Sequence, residues 1–515
     1  MMPVLFALCA ALAAVLCARV ALQFYQLESY QFGGYFRALK RNWLRAFLPG
    51  IAAAAAGCLG ALAAMWASPL AMLAVAAAAY VWQRRLKAKK PLVFTARVKR
   101  LLAFLLLVAA LLAALIVRAF KALPFLLFEP ALAPLVLALA ALAALPLEKL
   151  IQRLYLRDAQ KRLKARPDLI KIGITGSYGK TSAKYMLQAV LSEKYRVLIT
   201  PGSFNTSMGV TRIIRERLMP DHQVFVAEMG ARHLGDIRLL CKLVKPRYGM
   251  LTSVGPQHLE TFHTQENICR EKFELARAIP ADGAMVFASD GGGLCEALYR
   301  KCTCPKHLSG ETHEGLGLYA KDIEVGPWGS RFLLCDGKEE VPCQTRLLGA
   351  HNIGNLLLAC TMGRVLGMDL ETIARGAGKA QPVEHRLQLL TTPGGVTIID
   401  DAFNANPVGA DAALEVIRSF TGRKIVVTPG FVEMGEREAE CNRTLGEHLA
   451  EVADIVVLVG RRHTAPIAEG LRAKGFAEER LHIVATLDES TVWLSGVLRA
   501  GDVLLYENDL PDNYQ

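Results

Sequence analysis

The chain has 515 residues, of which 53% are hydrophobic and 21% charged. That length exceeds one compact domain, and that composition excludes intrinsic disorder and a small disulfide-stapled scaffold. The basic balance is uneven: the first 166 residues carry 22 of the 60 Lys and Arg but only four acids, a net +18 against −5 for the remainder. Positive charge confined to the most apolar part marks membrane topology, and no nucleic-acid partner is expected.

Residues 2–24 begin without a basic segment and are followed by further apolar runs, so they read as a first spanning helix and not as a leader. Four more candidates follow at Phe47–Trp66, Ser68–Trp82, Leu101–Val117 and Leu123–Leu147. The third is short for a span. Connecting segments on one side carry 19 Lys and Arg against two, Arg118 and Lys121, on the other. The positive-inside rule then puts the N-terminus outside and everything after Leu147 in the cytoplasm, making this a multi-pass inner-membrane protein in contact with lipid. Glu129, at the outer end of the fifth span, is expected to be interfacial and solvated. With twelve cysteines in membrane or cytosol, disulfides are not expected, and Cys302-Thr-Cys304 alone makes no zinc site.

After a basic linker at 151–168 the texture changes. LIKIGITGS, YRVLIT, QVFVAEM and YGMLTSV are short apolar runs separated by helical sequence, the alternation of a parallel α/β sheet. A second series, VTIIDD, KIVVTPG, DIVVLVG, LHIVAT and DVLLYE, follows the connector ARGAGKAQPVEH. The expected architecture is therefore α/β: a transmembrane domain at 1–150, a P-loop ATPase domain at 169–383 and a Rossmann-like domain at 384–515.

The sharpest chemical signal is Gly173-Ile-Thr-Gly-Ser-Tyr-Gly-Lys-Thr-Ser182, between strand and helix. Glycines let backbone N–H groups curl round phosphates, Lys180 reaches the outer phosphates, and Thr181 offers a hydroxyl to Mg²⁺. Gly176, Ser177, Gly179, Lys180, Thr181 and Ser182 are the candidate contacts to ATP. Ile174 stands where the standard spacing has Gly or Ala. Glu228 ends the strand QVFVAE, where a carboxylate reaches a metal at the C-terminal edge of the sheet. His258 follows the next strand end.

In order and spacing these segments resemble the Mur ligases, ATP-dependent enzymes of cell-wall precursor synthesis, over roughly residues 169–506. They are most similar to the branch that adds D-alanyl-D-alanine to a muramyl tripeptide. ITGSYGKTS resembles the family phosphate loop, PGSFNTSMG its Asn-Gly loop, VAEMGARHLGDI the acidic strand and SVGPQHLETF the His motif. REKFEL, LGAHNIGNLLLA, IIDDAFNANP and PGFVEMGE continue the series. The resemblance implies that Thr181 and Glu228 hold one Mg²⁺ and that His258 and a carbamylated Lys272 hold a second. It further implies Asn355 at adenine, and Arg386, Asp401 and Phe403 closing on the nucleotide. Phe403 stands where the family usually has Tyr or Lys. The implied catalytic residues are Lys180, His258 and Lys272. The implied reaction is attack of a carboxylate on the γ-phosphate, then attack of an amine on the acyl phosphate.

Two departures bear on the substrates. Apolar spans stand where the branch has its uridine-diphosphate-sugar domain, which points to a muramyl-peptide acceptor linked to lipid instead of a nucleotide. The end of the chain, GDVLLYENDLPDNYQ, replaces a Lys-Gly-Ser-Arg-like run. Glu507, Asp509 and Asp512 either contact a cationic amine or belong to an acidic tail. Two other readings remain open: a related ligase for another polymer, such as poly-γ-glutamate, and a membrane ATPase or scaffold.

Overall fold

The structure, a computed structural model, describes residues 2–64, 66–86, 90–120, 123–257, 259–311, 317–403, 406–432, 434–461 and 463–508. The chain divides into two compact units, one taking in Met1–Leu154 and the other Tyr155–Leu510.

The first unit is helical, with α1 (Met2–Cys17), α2 (Arg19–Leu27), α3 (Phe32–Arg41), α4 (Trp43–Ala63), α5 (Ala67–Arg85), α6 (Ala96–Phe120) and α7 (Ala133–Lys164). Its core is alanine-rich, so helices approach closely, and hydrogen bonds tie them together: Ser68 Oγ donates to the Gly57 carbonyl (2.8 Å) and Tyr35 OH to that of Pro134 (2.7 Å). Arg100 grips Glu148 through two bonds of 2.6 and 2.9 Å, while Arg97 lies 3.8 Å from the Tyr30 ring centroid.

Three segments, Trp43–Ala63, Ala96–Arg118 and Pro124–Lys164, are long and apolar enough to cross a membrane. The pair Pro3–Cys17 and Arg19–Leu27, bent by 45°, makes a fourth if it counts as one span. Among the described residues the expected five is therefore at most four. Ser68–Trp82 does form a helix, α5, but Ser68 and Pro69 at its start and Gln83, Arg84 and Arg85 at its end keep it from the three segments that are long and apolar enough. Glu129 also departs from expectation. Both its oxygens are buried with no hydrogen-bond partner among the described residues, between the 3₁₀ turns Leu123–Phe128 and Pro130–Leu132. The second of these turns packs on α4, where a Cβ on Gly50 would lie 1.9 Å from the Pro130 carbonyl oxygen.

The second unit contains two sheets. The larger has the order β2-β3-β1-β4-β5-β6-β7-β8-β9. Its parallel part is β1 (Ile170–Thr175), β2 (Val197–Ile199), β3 (Val224–Glu228), β4 (Tyr248–Leu251), β5 (Ala284–Ala288) and β6 (Lys306–Gly310), to which β7 (Leu318–Gly326) also pairs in parallel. β8 (Gly329–Cys335) and β9 (Glu340–Thr345) extend it antiparallel. Around it lie α8 (Lys180–Leu191), α9 (Ser207–Arg217), α10 (Asp236–Val244), α11 (Leu259–Phe262), α12 (Gln265–Ala278), α13 (Leu294–Lys301), α14 (Ala350–Val365) and α15 (Leu370–Gly378). α15 takes up the first half of the expected connector.

The smaller sheet has the order β10-β11-β15-β12-β13-β14, with β10 (Gln388–Thr391) its only antiparallel member among the described residues. β11 (Thr397–Asp401), β12 (Lys424–Thr428), β13 (Ile455–Val459), β14 (Leu481–Val484) and β15 (Val503–Glu507) are the five runs expected. α16 (Pro407–Arg418), α17 (Glu438–Val452), α18 (Ala465–Ala473) and α19 (Leu487–Val497) cover it. β1 and β15 lie inside their sheets, so the loops leaving their C-terminal ends sit where open α/β sheets bind ligands. The described cysteines are free thiols, including Cys302 and Cys304 at 3.4 Å.

Candidate active site

The glycine loop leaves β1 and enters α8, which presents free backbone N–H groups and the positive end of a helix. Gly176 (φ +154°) and Gly179 (φ +77°) shape it. A Cβ on the first would lie 2.1 Å from Thr252 Oγ1, and one on the second 2.5 Å from Asn355 Oδ1. The second approach places Asn355, from α14, against the loop. Ser177, a candidate nucleotide contact, is hydrogen-bonded within the protein. Its N–H donates to the Ser253 carbonyl (2.9 Å), while its Oγ donates to the Gly255 carbonyl (2.9 Å) and accepts from the Gly255 N–H (3.0 Å). Ser182 lies half-buried in the first turn of α8.

Lys180 Nζ donates to the carbonyls of Gly176 (2.6 Å) and Ser177 (2.7 Å). Burial pushes its pKa down to about 8; the Glu228 carboxylate opposes the shift and the Arg386 guanidinium adds to it. Phosphate oxygens would supply the charge that this desolvated cation lacks.

Glu228 is the hub. Its Oε2 accepts from Thr181 Oγ1 (3.1 Å) and Lys184 Nζ (2.8 Å), and its Oε1 from Asn205 Nδ2 (3.1 Å). Burial alone would raise its pKa, but Lys184 and Lys180 more than offset that and hold the carboxyl below its usual range. Lys184 also donates to the Gly202 carbonyl (2.6 Å), tying acidic strand, phosphate-loop helix and Asn-Gly loop together. Asn205 belongs to the segment that resembles the family's Asn-Gly loop, whereas Lys184 did not stand out in the sequence. The available signal was spacing, since Lys184 lies four residues after Lys180 on the same helix.

Thr181 and Glu228 are hard oxygen donors of the kind Mg²⁺ takes. Among the described residues no three His, Cys, Asp or Glu gather to hold a metal by themselves. The pair therefore fits an ion that completes its shell with phosphate oxygens and water. On α12, Lys272 is 3% exposed. Burial and then the Lys180 charge push its pKa down to about 7, against Glu271 and Asp236. Glu271 is occupied by the N–H groups of Gly235 (2.6 Å) and Ile237 (2.7 Å). His258 lies outside the described residues, as do Asp509 and Asp512.

The smaller sheet contributes the other wall. Arg386 lies 4.8 Å from the Phe403 ring centroid, and Asp401 Oδ1 accepts from the Leu387 N–H (3.1 Å). His385 (φ +59°) and Leu387 (φ +46°) flank Arg386 with left-handed backbone, a strain of roughly 1–3 kcal/mol at each that fixes its direction. Asp400 pairs with His385 Nδ1 (2.7 Å), a clamp not anticipated from sequence. Burial lifts Asp401 to about 6, against the pull of Arg386. Arg386 and Phe403 line a cavity of about 630 Å³ together with Thr181, Tyr185 and His385. Arg386 thus links the two sheets, its charge acting on Lys180 and Glu228 on one side and on Asp401 on the other.

Residues 174–363 match the Mur ligase middle domain, and residues 385–506 the Mur ligase glutamate ligase domain. The UDP-N-acetylmuramoyl-tripeptide–D-alanyl-D-alanine ligase of Bacillus subtilis (strain 168) is 30% identical over 343 residues, covering 65% of this chain and 72% of the relative. The chain belongs to the Mur ligase family. The same-named ligase of Mycobacterium tuberculosis (strain ATCC 25618 / H37Rv) is 31% identical over 356 residues, covering 65% and 69%. A crystal structure of MurF from Acinetobacter baumannii aligns with a TM-score of 0.62 at 28% identity, covering 69% of this chain and 77% of that one. MurF from Thermotoga maritima in complex with ADP gives 0.61 at 25% identity, covering 70% and 80%. As a Mur ligase of this kind the chain is an ATP-dependent acid–amino-acid ligase that works with Mg²⁺.

Proposed function

We propose that this ligase activates the terminal carboxylate of a muramyl-peptide acceptor and joins it to D-alanyl-D-alanine, working from the cytoplasmic face of the membrane that its helical unit spans. The observation that carries the reading is the convergence of Lys180, Thr181 and Glu228 with Arg386 and Asp401 from the other sheet. Cations then surround the phosphates from two sides. Lys180 neutralises the transferred phosphoryl group, and Arg386, held over Phe403, adds positive charge as the sheets close. Mg²⁺, held by Thr181 and Glu228, would supply further charge neutralisation at the phosphates. Closure also keeps water from the acyl phosphate.

A second ion would sit at Lys272 and His258. A buried lysine beside another cation is held in good part as the neutral amine near neutral pH, the form that adds CO₂, and the resulting carbamate offers a hard anionic oxygen on a long stem. The membrane assignment draws on the apolar helices of the first unit and on the basic residues that flank them. A lipid-linked acceptor follows from the position of that unit, ahead of the matched domains.

The test is phosphate release by the detergent-solubilised chain with Mg-ATP and D-alanyl-D-alanine, comparing UDP-linked with lipid-linked muramyl tripeptide. Release that needs both acceptor and dipeptide, and prefers the lipid carrier, is the expected result. Release indifferent to both would sink the reading.

A further inference from the structure

Glu507 closes β15, the strand between β11 and β12 in the smaller sheet. Its side chain is 1% exposed, and among the described residues neither carboxylate oxygen has a hydrogen-bond partner. An unpaired carboxylate so placed loses its hydration without return, a cost of several kcal/mol for an ionised group. Its surroundings make the imbalance worse. Asp401 is its in-register neighbour on β11, about 4.8 Å away across the ladder, and in-register neighbours point to the same face. The charges acting on Glu507 are those of Asp401 and Asp411, both anions, and of one cation, Arg386. Arg386 is already engaged with Asp401 and lies over the Phe403 ring. Asp401 and Glu507 therefore share one guanidinium at the C-terminal edge of the sheet that faces the phosphate loop, while the half-exposed Asp411 pairs with His448 Nδ1 (2.6 Å).

We propose that Glu507, with Asp401 beside it, is the docking point for the amino group of the amine substrate: the carboxylate binds the ammonium form and takes up the proton that the nitrogen must lose before it attacks the acyl carbon and phosphate leaves. An ammonium carries three N–H donors and one positive charge, which answers both the missing hydrogen bonds and the missing charge. Asp411 also lines a cleft of about 130 Å³ with Phe431 and Arg437, space for the body of a small amino-acid donor. The docking role rests on the ligase reading above and deepens it, making the recognised feature of the donor its cationic nitrogen.

The test uses the full detergent-solubilised chain with Mg-ATP, a muramyl-tripeptide acceptor and two nucleophiles. D-Alanyl-D-alanine brings an ammonium; hydroxylamine, mostly uncharged at neutral pH, traps the acyl phosphate as a hydroxamate without needing that dock. Glu507→Gln keeps the shape and removes the charge. It should raise KM for the dipeptide about 10- to 100-fold, the loss of one charge-assisted hydrogen bond or two. KM for ATP and hydroxamate yield should stay at the parent values, and Glu507→Asp should recover part of the dipeptide affinity. An unchanged dipeptide KM in Glu507→Gln overturns the proposal, and so does a parallel loss of hydroxamate, which marks a structural residue. If the parent chain itself forms neither hydroxamate nor amide, the ligase reading falls first.

Discussion

Lys184→Met isolates the buried ion pair at the centre of the site. The Lys184 side chain is 0% exposed and its partner Glu228 1%, with Nζ 2.8 Å from Oε2 and 2.6 Å from the Gly202 carbonyl. Methionine fills nearly the same volume, so the change removes charge and two hydrogen bonds while leaving little cavity. Glu228 keeps the Thr181 hydroxyl and Asn205 amide but loses its closest cation, and breaking such a pair from one side costs about 3–5 kcal/mol. Unfolding entropy of roughly 2.1 cal/mol/K per residue over about 350 residues makes this a fall in Tm of about 4–7 °C. The assay is thermal unfolding of the solubilised chain followed by near-ultraviolet circular dichroism. Glu228→Gln on the Lys184→Met background should return part of the loss, because the stranded charge disappears. A Tm within about 1 °C of the parent would refute the reasoning, as would a double variant that simply adds two penalties.

Lys180, held near 8 by burial despite Glu228, is charged below that pH and neutral above it. The free-enzyme kcat/KM for ATP should therefore fall as pH rises through about 8, and a profile flat to about 10 would contradict it. Lys272→Ala should abolish ligation and recover partly with added acetate, which offers the missing oxygen ligand; full activity without acetate removes the carbamate. Gly179→Ala places a Cβ 2.5 Å from Asn355 Oδ1 at φ +77°. That variant should lose most of the thermal stabilisation that Mg-ATP gives the parent chain, measured by the same unfolding assay, and equal stabilisation would show that the loop tolerates displacement.

What was legible in the sequence was local. The phosphate loop announces itself because its glycines, lysine and threonine lie within ten residues between a strand and a helix. Lys184 did not, since a lysine on a helix is solvated by default and its partner Glu228 lies 44 residues away. Glu507 was legible as an acid near the chain's end, but its burial comes from β15 inserting between β11 and β12, pairings that join residues about 80 to 105 positions apart. β7 to β9 escaped because Lys321, Glu324 and Arg331 interrupt their apolar alternation. Ser68–Trp82 was counted as a span from its apolar middle, whereas the helix it forms takes in Gln83, Arg84 and Arg85 and is not among the segments long and apolar enough to cross. Glu129 was misjudged because its burial depends on helix packing that no window of sequence reports.

On the proposed reading, the two ends of the chain follow one logic. Lys180, Thr181 and Glu228 act on ATP, a cofactor common to the family, and keep the family pattern. The departures fall where the two other substrates would be met: the helical unit ahead of residue 155 and the strand end at Glu507. A lipid-linked acceptor and a membrane-embedded enzyme are confined to the same surface, so their encounter is no longer governed by bulk dilution. Confinement raises effective concentration in the way a tether does, commonly to the millimolar range for short links. Anchoring at that surface supplies much of the affinity that a soluble carrier would need a dedicated binding domain to provide. The amine has no anchor. It arrives from solution, and binding energy must come from contacts such as a buried carboxylate awaiting a cation. Selection for a strong amine site and a weak acceptor site is therefore expected together, and solubilisation should raise KM for a lipid-linked acceptor far more than KM for the amine.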